Sequence, residues 1–396
     1  AAFGFLVKGP LAVLLPVMVV VPILLMERRS FNVSFSDLVL ATLLFLGISL
    51  PWYVAMWSQH GTEYLVGFFV GDNFERFATD RFNDPRPWWF YLPIAAGGLL
   101  PWTPLALSWL GPVVQFLTRR RDIGTLDLRL LLWAVLPLVF FTLSVGKQPR
   151  YMLPVLPPLA ILLASSVIER TSEWRSLDGG RRRPRPNGVV VMGCLLGGLF
   201  LVALAALLYR AQPLLLNVPS LNTFVVAGVI ALAGLAVVIV SFTSGWRSAP
   251  GVLALSTAVA FAVLPYGVLS DAEHSTVVQM AQRVRDAYRP GDAVGTYQVF
   301  VRNLVFYTGL KQTDIIHDEH LENWLAGNER TLVVMQAADA DRLERGGLAM
   351  ERLAELPYFN EGGLRVRMLL WPDPATDIEK VVLVRIDRTP TTASQD

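Results

Sequence analysis

Apolar residues along this chain fall into long blocks, and the charged residues collect between them. Eight blocks approach the roughly 20 apolar residues that a helix needs to cross the hydrocarbon core of a bilayer. They cover residues 11–26, 37–57, 91–116, 128–146, 151–168, 188–209, 221–243 and 250–270. The pattern changes after residue 270. Short alternating runs there predict strands at "DAVGTY", "TLVVMQ", "LRVRMLL" and "KVVLVRI", with helices over 273–289 and at "DEHLENWLAG" and "ADADRLERG". The expected architecture is a polytopic all-α membrane bundle over 1–270, followed by a C-terminal α/β domain, an open α/β sandwich, over 271–396.

Composition agrees with the pattern: 53% of the 396 residues are hydrophobic. A formal net charge of +2 is too small to suggest a nucleic-acid partner, and no nucleic-acid motif is present. Cys194 is the single cysteine and lies in an apolar run, which excludes an intramolecular disulfide and a cysteine-based metal site. The four histidines, His60, His274, His317 and His320, form no HExxH. The pair in "HDEH", His317 and His320, suits either a metal contact or an exposed helix start. Residues 271–396 contain neither a G-x-G-x-x-G nor a P-loop. The chain begins at Ala1, already inside an apolar segment, and we expect its true N-terminus to lie upstream.

Taken in alternation, the connections between blocks separate into two faces. Twelve arginines lie on one, including Arg28, Arg29, Arg119 to Arg121 and Arg181 to Arg183, against six cations on the other. Positive charge near span ends favours the cytoplasm, so the first face is expected there and "GGRRRPRP" reads as a topology anchor. The loop from Ser58 to Trp88, the turn carrying Lys147 and Arg150, and residues 271–396 then share the non-cytoplasmic face. Two cations at so short an outer turn oppose the preferred orientation. They call for an anionic ligand, the alternative being that they reach lipid headgroups or nearby acids. In the outer loop, a turn at His60-Gly61 precedes a helix over 62–77 that places Asp72, Glu75 and Arg76 on one side. Arg76 there serves either as an ion-pair partner of Asp72 or as part of an anion site. Trp88, Trp89 and Tyr91 form an aromatic belt at the return into the membrane. Lys8, beside the helix-breaking Gly9-Pro10, is costly in an apolar segment unless it reaches an interface or a polar cavity.

Six segments carry a resemblance: "FLVKGP" (5–10), "LPWYVAMWSQHG" (50–61), "FFVGDNFERF" (68–77), "WWFYLP" (88–93), "LLPWTP" (99–104) and "SVGKQPRYMLPVLPPLA" (144–160). In this order and spacing the chain resembles the polytopic glycosyltransferases of the GT-C class that use polyprenyl-phosphate sugars. Its nearest branch contains the aminoarabinose transferase that modifies lipid A and the protein O-mannosyltransferases. The resemblance covers the first 160 or so residues by motif and the remainder by layout alone.

That resemblance implies a GT-C type bundle with an extracytoplasmic C-terminal domain in a bacterial inner membrane. It implies an inverting transfer of a hexosyl or pentosyl group from a polyprenyl-phosphate donor to a lipid, glycan or protein hydroxyl. The usual general base is an Asp in a first outer loop, expected upstream of Ala1, so no catalytic acid or base is assigned within these residues. Lys147, Arg150 and Tyr151, with Arg76 and Lys8 from the opposite wall, are the expected donor-phosphate ligands, since cations stabilise the charge developing on a leaving phosphate. His60, Glu63, Asp72 and Asn73 are candidates for sugar or metal contacts, with a divalent cation as the only candidate cofactor. A transporter or flippase of a lipid-linked sugar, or a membrane scaffold, are the alternatives. The first needs related halves, and no convincing internal repeat is present; the second gives Lys147 and Arg150 no task.

Overall fold

The computed structural model describes residues 1–27, 34–79, 86–109, 124–172, 187–243, 246–269, 275–299, 303–359 and 365–387. The chain divides into two compact units, one of residues 1–197 and 237–253, the other of residues 198–236 and 254–396. The basic segments expected at Arg28, Arg29, Arg119 to Arg121 and Arg181 to Arg183 fall outside the described residues.

Each of the eight apolar blocks contains helix among its described residues, but not all are simple spans. In order the helices are α1 (Ala2–Lys8), α2 (Leu11–Met26), α3 (Phe35–Val66), a π-helix (Gly67–Glu75), α4 (Arg76–Ala78), α5 (Tyr91–Gly98), α6 (Thr125–Leu143), α7 (Leu156–Ser172), α8 (Gly188–Ala211), α9 (Ser220–Phe242) and α10 (Ala249–Val268). Among the described residues five helical stretches are long and apolar enough to cross a membrane, or six if a bent pair is counted as one span. The chain is thus an integral membrane protein. The bent pair corrects the single span expected over 91–116: α5 meets a 3-10 helix, Thr103–Trp109, at 108°. Gly97 and Gly98 weaken the helix there, and Pro101 and Pro104 can neither donate to it nor fit inside it. The blocks at 11–26 and 151–168 appear as the 16-residue α2, with Pro16 and Pro22 inside it, and the 17-residue α7.

In the first unit Glu27, the residue after α2, receives two hydrogen bonds from Arg129 of α6, at 2.5 Å to Oε1 and 2.8 Å to Oε2. This fork ties one end of α2 to one end of α6. The site described below is built at the opposite end of α6, after Leu143.

In the second unit a five-stranded sheet runs β1 (Ala293–Tyr297), β2 (Gln312–Ile315), β3 (Arg330–Gln336), β4 (Glu351–Tyr358) and β5 (Glu379–Asp387) in chain order. Its spatial order is β2-β1-β3-β5-β4, with β2, β1 and β3 parallel and the two pairs made by β5 antiparallel. Helices α11 (Thr276–Ala287), α12 (Leu304–Thr308), α13 (Asp318–Ala326), α14 (Ala337–Arg345), α15 (Val366–Leu370) and α16 (Pro374–Asp377) connect and flank the strands. Alternation along the central strands feeds two cores. Leu332, Val334, Val381 and Leu383 pack with Met280 and Val284 of α11, while Val333, Met335, Val382 and Val384 pack with Leu321 of α13. Strands at "DAVGTY", "TLVVMQ" and "KVVLVRI" match the expectation. "LRVRMLL" does not: its residues from Val366 to Leu370 are helical, halted before Pro372 and Pro374.

Candidate functional site

The site begins with a break in a long helix. Gly61 takes φ 67° and ψ −160° inside α3, a conformation that glycine adopts without a side-chain clash. The chain folds back there, as contacts across the break show. Trp52 Nε1 donates to Tyr64 Oη at 3.3 Å, and the Tyr53 ring lies 5.7 Å from Phe68 and 5.2 Å from Phe69. Phe5 of α1 joins this aromatic group, 5.7 Å from Tyr53, and its carbonyl accepts the Tyr53 hydroxyl at 2.9 Å. An aromatic clasp therefore holds "FLVKGP" and "FFVGDNFERF" together, although they are far apart in sequence.

The returning arm widens into the π-helix, where Asn73 Nδ2 donates to the Phe68 carbonyl at 2.8 Å. Gly9, next to Lys8, sits directly against this turn. It has φ 61°, and a Cβ added to it would lie 2.9 Å from Asn73 Nδ2 and 3.1 Å from the Phe68 ring. Only glycine fits, so the Lys8-Gly9-Pro10 break is built to touch Asn73. Lys8 itself is exposed. Arg76 makes the ion pair anticipated for a helix surface, its Nη2 2.6 Å from Asp72 Oδ1.

The Lys147 turn is fastened to the end of that arm. Val145 N donates to the Phe77 carbonyl at 2.9 Å and Ser144 Oγ donates to the same oxygen at 3.0 Å, while the Phe77 ring stacks on Phe140 of α6 at 4.8 Å. Both cation-bearing segments thus share one end of the unit. Lys147 is 9% exposed, and among the described residues its Nζ has one hydrogen-bond acceptor, the Ser144 carbonyl at 2.6 Å. An ammonium carries three donors and tolerates burial only when they are satisfied. Arg150, in the 3-10 turn Pro149–Met152, is exposed and has no acidic partner among the described residues. Tyr151 lies flat on Phe141, with ring centroids 4.9 Å apart and an interplanar angle of 21°. Tyr91 of "WWFYLP" is packed in the core beneath, with Phe141, Met152 and Val155.

The structure therefore gathers Lys8, Asp72, Asn73, Arg76, Lys147, Arg150 and Tyr151 around three linked segments. His60 and Glu63 are exposed beside the Gly61 break, and among the described residues neither bonds to Asp72 or Asn73. No three of His, Cys, Asp and Glu cluster as a metal site among the described residues. His317 and His320 have rings 5.5 Å apart at the start of α13, with no third ligand among the described residues. Sequence reasoning read Gly9 as a helix breaker but missed its contact with Asn73, and it missed Ser144, Phe77 and the Trp52–Tyr64 clasp. Glycine beside lysine in "FLVKGP" was a signal for one of them; the others depend on residues brought near only by folding.

The sheet region handles charge differently. Asp318 Oδ1 accepts the Tyr297 hydroxyl at 2.5 Å, and Asp318 Oδ2 accepts from Arg342 at 2.9 Å. These two donors hold the Asp318 carboxyl below its ordinary range. Burial, then the bond to Asp318, pushes the Tyr297 phenol up to about 12, partly opposed by Arg342. Asp377 is held low as well, first by the Asp373 amide, which donates at 2.8 Å, and then by Arg367.

The profile of the Alg9-like mannosyltransferase family matches residues 85–254. The undecaprenyl phosphate-alpha-4-amino-4-deoxy-L-arabinose arabinosyl transferase 2 of Pseudomonas fluorescens (strain Pf-5) is 39% identical over 206 residues, covering 52% of this chain and 32% of its own length. The corresponding transferase of Pseudomonas aeruginosa (strain PAO1) is 40% identical over 206 residues, covering 52% and 34%. The chain thus matches about a third of the length of these curated relatives. The crystal structure of ArnT from Cupriavidus metallidurans bound to undecaprenyl phosphate aligns with a TM-score of 0.55 at 19% identity, over 97% of this chain and 67% of that one. These matches agree with the resemblance drawn from the motifs, and the structural alignment shows that the chain shares the fold of that ArnT structure.

Proposed function

We propose that this chain holds the donor-lipid site of a membrane glycosyltransferase that moves a sugar from a polyprenyl phosphate to a hydroxyl of a lipid, glycan or protein. The observation that carries the proposal is the Lys147 turn, where one buried and one exposed cation lack acidic partners among the described residues, and which Ser144 and Val145 fasten to the Phe77 carbonyl at the end of the Arg76 arm. Transfer in line with inversion leaves a dianionic phosphate, and the turn answers that charge. Lys147 supplies a desolvated point charge, and Arg150 offers a planar fork for two phosphate oxygens. Tyr151, braced on Phe141, flanks the phosphate or the first isoprene. Arg76 and Lys8 complete the wall across from the turn. Asp72 and Asn73 contact the sugar, with His60 and Glu63 as outer candidates. The relatives' names point to undecaprenyl phosphate and aminoarabinose as the donor, and to transfer in preference to transport.

The twelve arginines of the opposite face favour an inner-membrane protein with this site and residues 271–396 on the periplasmic side. Cysteines introduced as Gly146→Cys and Gly180→Cys in a Cys194→Ala background are expected to react with impermeant reagent from opposite sides. Labelling from one side would overturn the orientation. The function itself is tested by donor titration of transfer in membranes containing the whole protein. Arg150→Ala is expected to lose most transfer and Arg150→Lys to recover part of it. Normal transfer by a correctly inserted Arg150→Ala protein across all donor concentrations would overturn the phosphate assignment.

A further inference from the structure

The second unit contains a cavity that the proposed transfer does not use. Its volume is about 630 Å³, and it lies against the last turns of α8 and α10, both parts of stretches apolar and long enough to cross a membrane. Leu204, Leu208 and Leu264 line it from these helices, and Val277, Phe359 and Leu369 close it from the sheet-bearing part of the unit. Among the described residues only two lining side chains, Thr276 and Tyr358, bear a hydroxyl, and that of Thr276 donates to the Pro357 carbonyl at 3.1 Å. The size is that of a small-molecule site, roughly 300–1,000 Å³, but the lining lacks the convergent polar groups that orient a polar ligand. It favours an aliphatic chain.

Charge near the wall narrows the choice. Arg365 is four residues, about one helical turn, before Leu369, and it is exposed with no acidic partner among the described residues. Arg367, by contrast, is neutralised by Asp377. An aliphatic slot against membrane-crossing helices, with an unneutralised guanidinium one turn from its wall, complements a lipid tail and its phosphate. At roughly 30 Å³ per carbon, a sixteen-carbon acyl chain needs about 500 Å³ and fits within the cavity, and chains of that kind are what the bulk lipids of a surrounding leaflet present.

We infer that this cavity takes one acyl chain of an anionic glycerophospholipid from the surrounding leaflet, with Arg365 on its phosphate. The test uses the whole protein in nanodiscs containing phosphatidylglycerol with a photoreactive acyl chain, and mass spectrometry to map the adducts. Adducts are expected within residues 204–216 and 264–269. Leu208→Trp, which fills the cavity, is expected to reduce them about ten-fold without changing labelling elsewhere or the thermal midpoint. Arg365→Gln is expected to lower phosphatidylglycerol labelling to the level of the phosphatidylcholine analogue. If Leu208→Trp does not fold, Leu264→Phe on the facing helix gives the same readout. The inference is overturned by unchanged labelling in a folded, filled variant. Equal labelling by the phosphatidylcholine analogue in the parental protein, or stronger labelling by a photoreactive polyprenyl phosphate, would overturn it too.

Discussion

Two regions of this molecule treat their cations in opposite ways. In the sheet region Arg342 pairs with Asp318 and Asp339, Arg352 with Asp341 and Glu344, Arg367 with Asp377 and Lys380 with Glu355. In the Ser144 to Met152 turn a buried lysine is bonded to a backbone carbonyl, and an exposed arginine meets no acid among the described residues. Surface pairs of the first kind contribute little each, and Arg365 stands outside them. A buried ammonium without a carboxylate costs stability, which folding must offset elsewhere. The difference between the regions separates charge paired within the fold from charge that, on the function proposed above, is kept for a ligand.

The largest effect that could break this comparison is expected at Lys147. Lys147→Met should lower sugar transfer on the order of 100-fold, as does loss of one donor aimed at a developing oxyanion. The thermal midpoint of the same variant should not fall, because an undercompensated buried charge has been replaced by an isosteric apolar chain. A large drop in midpoint would instead make Lys147 a structural residue. Next comes Arg150→Ala, where losing a charge-assisted contact of about 1.5–3 kcal/mol should reduce donor affinity or rate roughly 10- to 150-fold. For Arg342→Ala the outcomes reverse: the thermal midpoint should fall while transfer by the folded protein stays at the parental rate.

Acid separates the regions further. A carboxyl held low in the folded state lends stability that is complete above its unfolded value near 4 and disappears as pH falls through the folded one. Asp318 and Asp377 both behave this way, so the sheet region should lose stability below about pH 4. Asp377→Asn, followed by near-ultraviolet circular dichroism, should flatten that acid dependence and lower stability at neutral pH. A steep acid transition persisting in the variant would assign it to other groups. The smallest effect is expected at Asp72→Asn, which removes an exposed i,i+4 pair worth a few tenths of a kcal/mol. If it lowers transfer without changing stability, Asp72 contacts the sugar.

Much of the fold was legible because lipid demands it. A segment crossing a bilayer must be apolar throughout, and each of the eight blocks contains helix among its described residues, five or six of the stretches being long enough to cross. The bend between α5 and Thr103–Trp109 was harder to see, since its Gly and Pro residues sit in an otherwise continuous apolar run. In the sheet, the buried central strands announced themselves, whereas β2 and β4 did not. Both are edge strands, and β4 carries Pro357 and charged positions that only an edge tolerates. At the site, Lys147, Arg150 and Arg76 were visible as cations out of place. What joins them was not: the Phe77 carbonyl is a backbone atom, and no side-chain pattern reveals which distant amide it accepts.

Gly61 decides how far the site reaches. Residues Phe35–Ala78 form one 44-residue helical stretch, and drawn out straight it would be a rod roughly 66 Å long. The apolar slab it crosses is only about 30 Å thick, so an unbroken rod would carry Arg76 some tens of ångströms into water, far from any lipid headgroup. A single torsion at Gly61 folds that surplus length back along the arm it came from. Among the described residues no atom crowds the position where a Cβ would stand, so the obstacle they leave to another residue is the backbone angle. That one angle thus sets how far Arg76 stands from the apolar stretch that precedes it.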